Sequence, residues 1–268
     1  MRTRIVIEPG RRGPRIELRG DVLTPRILST GPRGSAQIAL VATQMLLLAG
    51  DDIGIDVLVG TGCTLEIVEP VGTVAYGGEG ESRWGISIEI ADGGTLIWQG
   101  QPFVISDDAR VRRSTRVTLG EGARLLQREV LAFGRSGQQG GDLASEFHAY
   151  SSRMGAALPV DGHHPEGPRH RCAPLLIEDL DLSHGRRGRV GVLGETRVLD
   201  SIIALGWRPE AEASAGVTAF ELAEPGTLLR QLGREHTHQQ MDTCWRAWHG
   251  ELSGLGCAQP LRALSFDT

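Results

Sequence analysis

The sequence predicts a mainly β protein whose strands stack as a β-helix or solenoid in one large domain, with a few helices in its C-terminal part. Apolar and polar residues alternate with a period of two in 53–59 and again in 84–90, as in strands that bury one face. A strand, a glycine turn and a second apolar segment follow one another three times. The second glycine of this turn recurs at Gly62, Gly94 and Gly122, about 30 residues apart, a spacing typical of stacked repeats.

The same spacing also fits three ordinary β-hairpins in a sandwich. Glycine supplies the positive φ that tight connections between strands need, whether the two strands pair with each other or lie in different sheets. The repeat by itself therefore leaves the solenoid and the sandwich open.

The remaining elements follow in chain order. The first forty residues contain short strand patterns separated by glycine, proline and arginine, and further strands are predicted at 174–182 and 198–205. A helical element is predicted at about 227–249, because its apolar residues fall mostly three, four or seven apart. We expect residues 1–255 to form one domain and residues 256–268 to be a flexible tail.

Composition excludes several kinds of chemistry. The net charge is −5, which argues against nucleic-acid binding, because nucleic-acid-binding proteins usually carry a basic stripe. All 28 basic residues are arginine. Without lysine the chain has neither a Walker-type phosphate loop nor a lysine that forms a Schiff base. The G-x-S-x-G, H-E-x-x-H and dinucleotide-binding glycine motifs are absent as well.

The cysteines and the N-terminus indicate a cytoplasmic protein. Charges interrupt the first residues, so no apolar signal core is present, and no apolar run is long enough to cross a membrane. We therefore expect no membrane partner. The four cysteines form no C-x-x-C pair and are typical of reduced thiols; they are Cys63, Cys172, Cys244 and Cys257.

One segment contains a candidate metal site. His163, His164, His170 and Cys172 lie close together in the sequence and have side chains that bind transition metals. Their spacing matches no standard zinc pattern, and proline and arginine surround them. A solvated loop is the alternative interpretation.

Carboxylate pairs at 51–52 and 178–179 lie at the ends of predicted strands. Such pairs serve acid–base chemistry or bind a hard cation, and they are also ordinary polar ends of strands. The same alternatives hold for Glu66 and Glu69.

Five segments in order resemble the UreD family (also called UreH) of urease accessory proteins. Departures from the family pattern include Ala49 in place of a glycine, Glu69 in place of a threonine and Val74 in place of a lysine. The loop after Arg135 is also longer than in the family. The segments that carry the resemblance are 49–65, 69–76, 96–105, 122–135 and 174–178.

The resemblance implies a β-helical scaffold that is not an enzyme. Members of the family dock on apo-urease and recruit UreF, which recruits the GTPase UreG, and together they deliver nickel to the structural urease subunits. Nickel would then be in transit, with no tightly bound cofactor. By position, Asp51 and Glu178 match acids proposed to line an internal passage for the metal. Carboxylates hold a divalent ion weakly, whereas histidine and cysteine cages would trap it.

Two rival functions remain open at the level of the sequence. The first is a carbohydrate-active hydrolase or lyase on a β-solenoid, which needs two carboxylates in a cleft with aromatic platforms. The aromatic content of 4% disfavours it. The second is a structural β module whose late helix docks a partner through Trp245 and Trp248. In the accessory function, the same helix is equally a candidate for the element that faces UreF. Tryptophans on such a helix also occur as ordinary core residues.

Overall fold

The computed structural model describes residues 1–152, 172–234 and 239–253. These parts of the chain consist mainly of strands, together with a short 3-10 helix at Pro32–Gly34 and two α-helices, α1 (His184–Arg187) and α2 (Gln239–Ser253). The strands are β1 (Arg2–Glu8), β2 (Arg15–Arg19), β3 (Leu23–Gly31), β4 (Ser35–Ala42), β5 (Asp52–Val59), β6 (Thr64–Val68), β7 (Thr73–Ala75), β8 (Ser82–Ile90), β9 (Thr95–Ile105), β10 (Arg110–Leu119), β11 (Arg124–Phe133), β12 (Asp142–Ser151), β13 (Ala173–Asp181), β14 (Val198–Leu205), β15 (Thr218–Glu221) and β16 (Gly226–Gly233).

The strands form two sheets. The first sheet has the order β13-β12-β10-β8-β5-β1-β2, and the second has the order β15-β16-β14-β11-β9-β6-β4-β3, with β7 paired to β9. From β4 to β12 the chain passes back and forth between the two sheets, and equivalent strands of successive passes pair in parallel. This arrangement is a β-solenoid of about four turns. The hairpin alternative is wrong, because β5 and β6 lie in different sheets.

Stacked glycine turns connect one sheet to the other. The backbone N–H of Gly62 donates to the carbonyl of Asp92 at 3.0 Å, and the N–H of Gly93 donates to the carbonyl of Glu121 at 2.8 Å. Gly62, Gly93 and Gly122 have φ values of 64°, 64° and 65°. The equivalent glycine of the second turn is therefore Gly93, and the prediction of Gly94 is wrong by one residue.

A hydrophobic core fills the space between the two sheets. The predicted alternation is confirmed, since Ile53, Ile55, Val57 and Val59 are each at most 2% exposed and belong to this core. In parallel register Ile55 lies beside Ile86, so the same face of each turn adds a layer to one continuous interior.

The prediction of a helix at 227–249 is wrong over its first half. Residues 226–233 form β16, which pairs antiparallel with β14 and places Leu228 opposite Ile203. The helix α2 begins only at Gln239. Apolar residues at 228, 229 and 232 fit a helical period, but strand pairing with β14 satisfies the backbone hydrogen bonds of this segment and buries Leu228 and Leu229, whereas Leu232 stays exposed.

The predicted tail at 256–268 lies outside the described residues, and the boundary of the domain at residue 255 stays a prediction. In the parts of the chain that the structure covers, no helix is long and apolar enough to span a membrane.

The turn glycine Gly122 provides a test of the solenoid geometry. Its φ of 65° is left-handed, and no atom lies within 4 Å of the position a Cβ would take. We therefore expect Gly122→Ala to lower the free energy of unfolding by about 1–2 kcal/mol, purely through the backbone. Urea unfolding measures this loss. The matched control is Glu121→Ala in the same exposed turn, and equal effects of the two substitutions would contradict the assigned turn.

Candidate functional site

Asp51 lies in the turn that precedes β5 and is half-buried. Its Oδ2 accepts a hydrogen bond from the backbone N–H of Leu48 at 3.0 Å, and its own N–H donates to the carbonyl of Leu48 at 2.9 Å. The turn contains Leu47, whose φ of 55° is unusual for a residue other than glycine. The carboxylate of Asp51 therefore stabilises a strained turn.

Glu178 faces the interior between the two sheets. It lies opposite Phe147 in the pairing of β13 with β12, and Phe147 belongs to the core. The Oε2 of Glu178 lies 2.5 Å from Nη2 of Arg230, and Nε of Arg230 donates to Oγ of Ser201 at 3.3 Å. Since β13 and β16 belong to different sheets, this ion pair connects the sheets directly.

The structure does not bring Asp51 and Glu178 together. Three strands, β8, β10 and β12, lie between β5 and β13 in the first sheet. Neighbouring strands are about 4.8 Å apart, so the two strands are separated by roughly 19 Å. The two carboxylates cannot share one ligand.

A second ion pair lies deeper between the sheets. Nη2 of Arg113, on β10, lies 2.6 Å from Oε1 of Glu129, on β11, and the two side chains are only 7% and 12% exposed. The same oxygen accepts a hydrogen bond from Nε2 of Gln127 at 3.0 Å. Burial strengthens these charge-assisted hydrogen bonds, because little solvent screens them.

Glu69 forms the next polar group along the interior. Its Oε1 accepts a hydrogen bond from Nε1 of Trp98 at 2.8 Å, and its Oε2 accepts one from the backbone N–H of Gln101 at 3.1 Å. Trp98 lies beside Gln127 in the pairing of β9 with β11. Glu69 is therefore connected to the Arg113–Glu129 pair through adjacent inward positions of the second sheet.

The two ion pairs and Glu69 form one series. Glu129 lies beside Ser201, and Ser201 lies beside Arg230, in the pairings of β14 with β11 and β16. Polar side chains therefore cross the interior from β13 to the neighbourhood of β9. We call this series the interior polar row; its members are Glu69, Trp98, Gln127, Arg113, Glu129, Ser201, Arg230 and Glu178.

Two small cavities adjoin this row, and Glu69 lines both of them. One has a volume of about 30 Å³ and is also lined by Arg113, Gln127 and Glu129; the other, of about 20 Å³, lies towards β3 and β4. Nε and Nη1 of Arg113 and Oε1 of Gln127 are buried and have no hydrogen-bond partner among the described residues. A cavity of this size with polar walls has room for one or two water molecules.

Burial raises the pKa of Glu69. The hydrogen bonds from Gln101 and Trp98 and the charge of Arg113 act in the opposite direction, and the nearby charge of Glu129 raises the pKa further. Desolvation is the largest of these causes, because the ionised carboxylate loses its hydration. Glu69 therefore binds a proton more readily than an exposed glutamate.

Sequence reasoning left Glu69 open between a functional carboxylate and an ordinary polar strand end, and it assigned no role to Arg113, Gln127 or Glu129. A signal was present in β10, where Arg113 and Thr115 occupy inward positions between the apolar Val111 and Val117. A charged residue on the apolar face of a strand indicates a buried partner, but the alternation does not identify that partner.

The structure places Trp245 and Trp248 in the core. They are 4% and 2% exposed and pack, from α2, on the outer face of the second sheet. Nε1 of Trp248 donates to the carbonyl of Ala211 at 3.0 Å, and its ring meets Trp207 edge to face at 6.5 Å. Neither indole lies on an exposed docking surface.

Polar contacts attach the two ends of α2 to the second sheet. Arg128 is buried and binds Asp200 on β14 and Asp242 on α2 at 2.8 Å and 2.6 Å. At the other end, Nε2 of His249 lies 3.1 Å from Oε1 of Glu66 on β6. The carboxylate of Glu66 thus has a structural partner on the helix.

The histidine-rich candidate cannot be assessed as a group. His163, His164 and His170 lie outside the described residues, and Cys172 is half-buried just ahead of β13. Within the described parts of the chain, no group of three or more histidine, cysteine or acidic side chains is arranged to hold a metal ion.

Comparison with known proteins identifies the family to which this chain belongs. The family model described as UreD urease accessory protein matches residues 26–263, which include every member of the interior polar row. The chain belongs to the UreD family. The resemblance seen in the sequence is thus confirmed, and the family supports a role in urease maturation.

Individual UreD relatives agree with this assignment. The chain is 42% identical to urease accessory protein UreD 1 of Streptomyces griseus over 81% of this chain and 77% of the relative. It is 35% identical to UreD of Frankia alni, over 75% and 70% of the two chains. It is 33% identical to UreD of a Parafrankia species, over 68% of this chain and 65% of the relative.

Replacing Trp248 tests its place in the core. Trp248→Ala removes a large side chain that packs between α2 and the sheet, and we expect the free energy of unfolding to fall by about 3–5 kcal/mol. Arg246→Ala on the exposed face of the same helix serves as the control and should change it by less than about 0.5 kcal/mol. Urea unfolding followed by circular dichroism compares the two, and an equally small loss for Trp248→Ala would be inconsistent with core packing.

Glu69→Gln tests the raised pKa of Glu69. A carboxyl group with a raised pKa stabilises the fold below its ordinary value of 4.5, and this contribution is lost as the pH rises through the higher, folded value. We therefore expect the wild-type chain to lose stability relative to Glu69→Gln as the pH is raised from 4.5 to neutrality.

Urea unfolding at several pH values measures this difference. Glu89→Gln, an exposed substitution on the outer face of β8, is the control and should keep a constant difference from the wild type. A Glu69→Gln profile parallel to that of the wild type would show that the pKa of Glu69 is unchanged by folding.

Proposed function

We propose that this chain is a non-catalytic scaffold that docks on apo-urease together with UreF and, through UreF, with the GTPase UreG. In this assembly it conducts nickel, as cargo, towards the urease active site. The observation that carries the proposal is the interior polar row in a chain of the UreD family. The absence of lysine fits this division of labour, because a Walker-type phosphate loop for GTP must then belong to a partner.

Three carboxylates in the row are suited to weak binding of a divalent cation. Glu69, Glu129 and Glu178 are spread along the interior and connected by polar side chains. Carboxylate and amide oxygens exchange a divalent cation more readily than thiolate and imidazole cages do. A series of such groups favours passage of the metal over storage.

Two guanidinium groups neutralise carboxylates of the row while no metal ion is bound. Arg113 neutralises Glu129, and Arg230 neutralises Glu178. A passing divalent cation competes with each guanidinium for its carboxylate, so neither carboxylate is left as an unpaired buried charge before or during passage. Asp51 lies outside the row, and we retain it as a separate candidate acid in the turn that precedes β5.

The carbohydrate-active alternative finds less support. The interior carboxylates face cavities of about 30 Å³ and 20 Å³, far below the roughly 300 Å³ at which small-molecule pockets begin. An open cavity of about 820 Å³ is lined by Asp107, Asp108 and Asp142, but its described lining has no phenylalanine, tyrosine or tryptophan to serve as a platform for a sugar ring. We therefore favour the accessory function over a carbohydrate-active enzyme.

Co-expression with the structural urease subunits, UreF and UreG tests the proposal. We expect the wild-type chain to co-purify with urease or UreF and to be required for nickel loading. Glu178→Ala and Glu129→Ala should still bind the partner proteins. Each should reduce the nickel content of urease by at least about tenfold, because each removes a carboxylate that binds the cation in transit. Asp51→Ala tests the separate candidate.

Glu89→Ala is the matched control, since Glu89 is exposed on the outer face of β8 and should support full activation. Nickel content by elemental analysis and urease activity are measured on the same samples. Full nickel loading with both interior variants would refute the conduit while leaving the scaffold role intact. A wild-type chain that captures neither urease nor UreF, and whose deletion leaves activation unchanged, would refute the scaffold role itself.

A further inference from the structure

Arg113 is a buried arginine that leaves most of its hydrogen-bonding capacity unused. Its side chain is 7% exposed, and its Nη2 lies 2.6 Å from Oε1 of Glu129. Its Nε and Nη1, in contrast, have no hydrogen-bond partner among the described residues. A buried donor without a partner costs free energy and calls for an explanation, such as a bound water or ion or a functional role.

Other buried arginines of the molecule are held more completely. The three guanidinium nitrogens of Arg128 all donate to Asp200 or Asp242. The guanidinium of Arg187 donates to the backbone carbonyls of residues 139, 140 and 141. Arg113 can therefore leave its position with the loss of one ion pair, whereas Arg128 and Arg187 would each lose several hydrogen bonds.

Oxygen atoms surround the space into which Arg113 faces. Arg113, Glu69, Gln127 and Glu129 all line the cavity of about 30 Å³. Oε1 of Gln127 is buried and has no hydrogen-bond partner in the described parts of the chain. The hydrogen bonds that the structure shows to Glu69 come from an indole and a backbone N–H, which are neutral donors. Two carboxylates and one amide oxygen thus share the guanidinium of Arg113.

The charges at this cavity do not balance when the carboxylates are ionised. Glu69 and Glu129 each contribute a negative charge, whereas Arg113 supplies a single positive one. The other charged residue of the lining, Arg128, is already paired with two aspartates. Carboxylate and amide oxygens are ligands that a hard divalent cation prefers. The guanidinium therefore occupies a place where a divalent cation would balance the charge more closely.

We propose that Arg113 is a built-in competitor at a divalent-cation site formed by Glu69, Gln127 and Glu129, and that it keeps the cation bound weakly enough to be released. Conduction requires binding that is favourable enough for entry and weak enough for exit. The ring of Phe103, whose centre lies 5.9 Å from Cζ of Arg113, stabilises a displaced guanidinium through a cation–π contact. The identity of the cation as nickel in transit rests on the proposed function.

Binding of Mn²⁺ to the purified full-length chain tests the site without any partner protein. Mn²⁺ prefers oxygen ligands, so the histidine-rich segment contributes little to its binding. We expect Arg113→Gln to raise the affinity for Mn²⁺ by at least about tenfold, because the cation no longer competes with a positive charge. Arg113→Lys keeps the charge and should stay within about threefold of the wild type. Electron paramagnetic resonance of free Mn²⁺ measures these affinities.

Arg112→Gln is the matched control on the same strand. Arg112 precedes Arg113, but its side chain is 50% exposed and pairs with Glu81 on the outer face. This substitution should change the affinity for Mn²⁺ by less than about twofold, because solvent screens the exposed charge. Adding Glu129→Gln to Arg113→Gln should abolish the gain in affinity, since it removes one of the carboxylate ligands.

Urea unfolding separates a competitor from an ion pair that is only structural. Arg113→Gln should unfold at a lower urea concentration than the wild type in metal-free buffer, because Glu129 loses its partner. Mn²⁺ should then stabilise this variant more than it stabilises the wild type, because a ligand of the native state stabilises in proportion to its affinity. A structural ion pair predicts the loss of stability without the recovery by Mn²⁺.

Glu69→Gln gives a second test that leaves the pair of Arg113 and Glu129 intact. It removes one carboxylate ligand and should weaken the binding of Mn²⁺ to the otherwise wild-type chain by at least about fivefold. This variant decides the question if Arg113→Gln does not fold. Unchanged affinity in Glu69→Gln would show that Glu69 is not a ligand and would overturn the proposed site.

Co-expression with urease, UreF and UreG connects the site to nickel delivery. Arg113→Gln should still bind the partner proteins and should lower the nickel content of urease, because the cation is held longer in the row. Unchanged nickel loading would overturn the role of Arg113 in release. Equal affinity of Arg113→Gln and the wild type for Mn²⁺ would overturn the competitor, while reduced loading with Glu178→Ala and Glu129→Ala would leave the proposed conduit standing.

Discussion

The structure depends on one constraint: the charged side chains that form ion pairs between the two sheets must lie opposite their partners on the facing sheet. Arg113 on the first sheet meets Glu129 on the second, and Glu178 on the first meets Arg230 on the second. An unpaired charge at either place would lose its hydration without compensation. These two pairs therefore fix how one sheet lies over the other, in addition to the apolar contacts of the core.

A second layer extends the core of the second sheet. Helix α2 packs Trp248 and its neighbours against β11 and β14, so β14 is buried on both faces. This double burial accounts for the almost continuous apolar sequence of 198–205, which has no alternation. Arg128, held by Asp200 and Asp242, fixes one end of the helix on the sheet, and the contact of His249 with Glu66 fixes the other.

A polar row inside a solenoid is weak support for stability, because well-packed apolar residues at the same positions often stabilise a protein equally well or better. Its presence fits the proposed conduit, in which carboxylates and small polar cavities give a divalent cation a continuous series of weak ligands.

The sequence by itself determined the strands of the repeat, the glycine turns within one residue, the lack of lysine-based chemistry and the membership of the UreD family. The strands and the turns are local properties, because the period of two and the positive φ depend on neighbouring residues. The tertiary structure alone decided that 226–233 is a strand and that Glu129 meets Arg113. Both depend on contacts with residues distant in sequence. The register of one sheet over the other sets those contacts, and no local pattern encodes it.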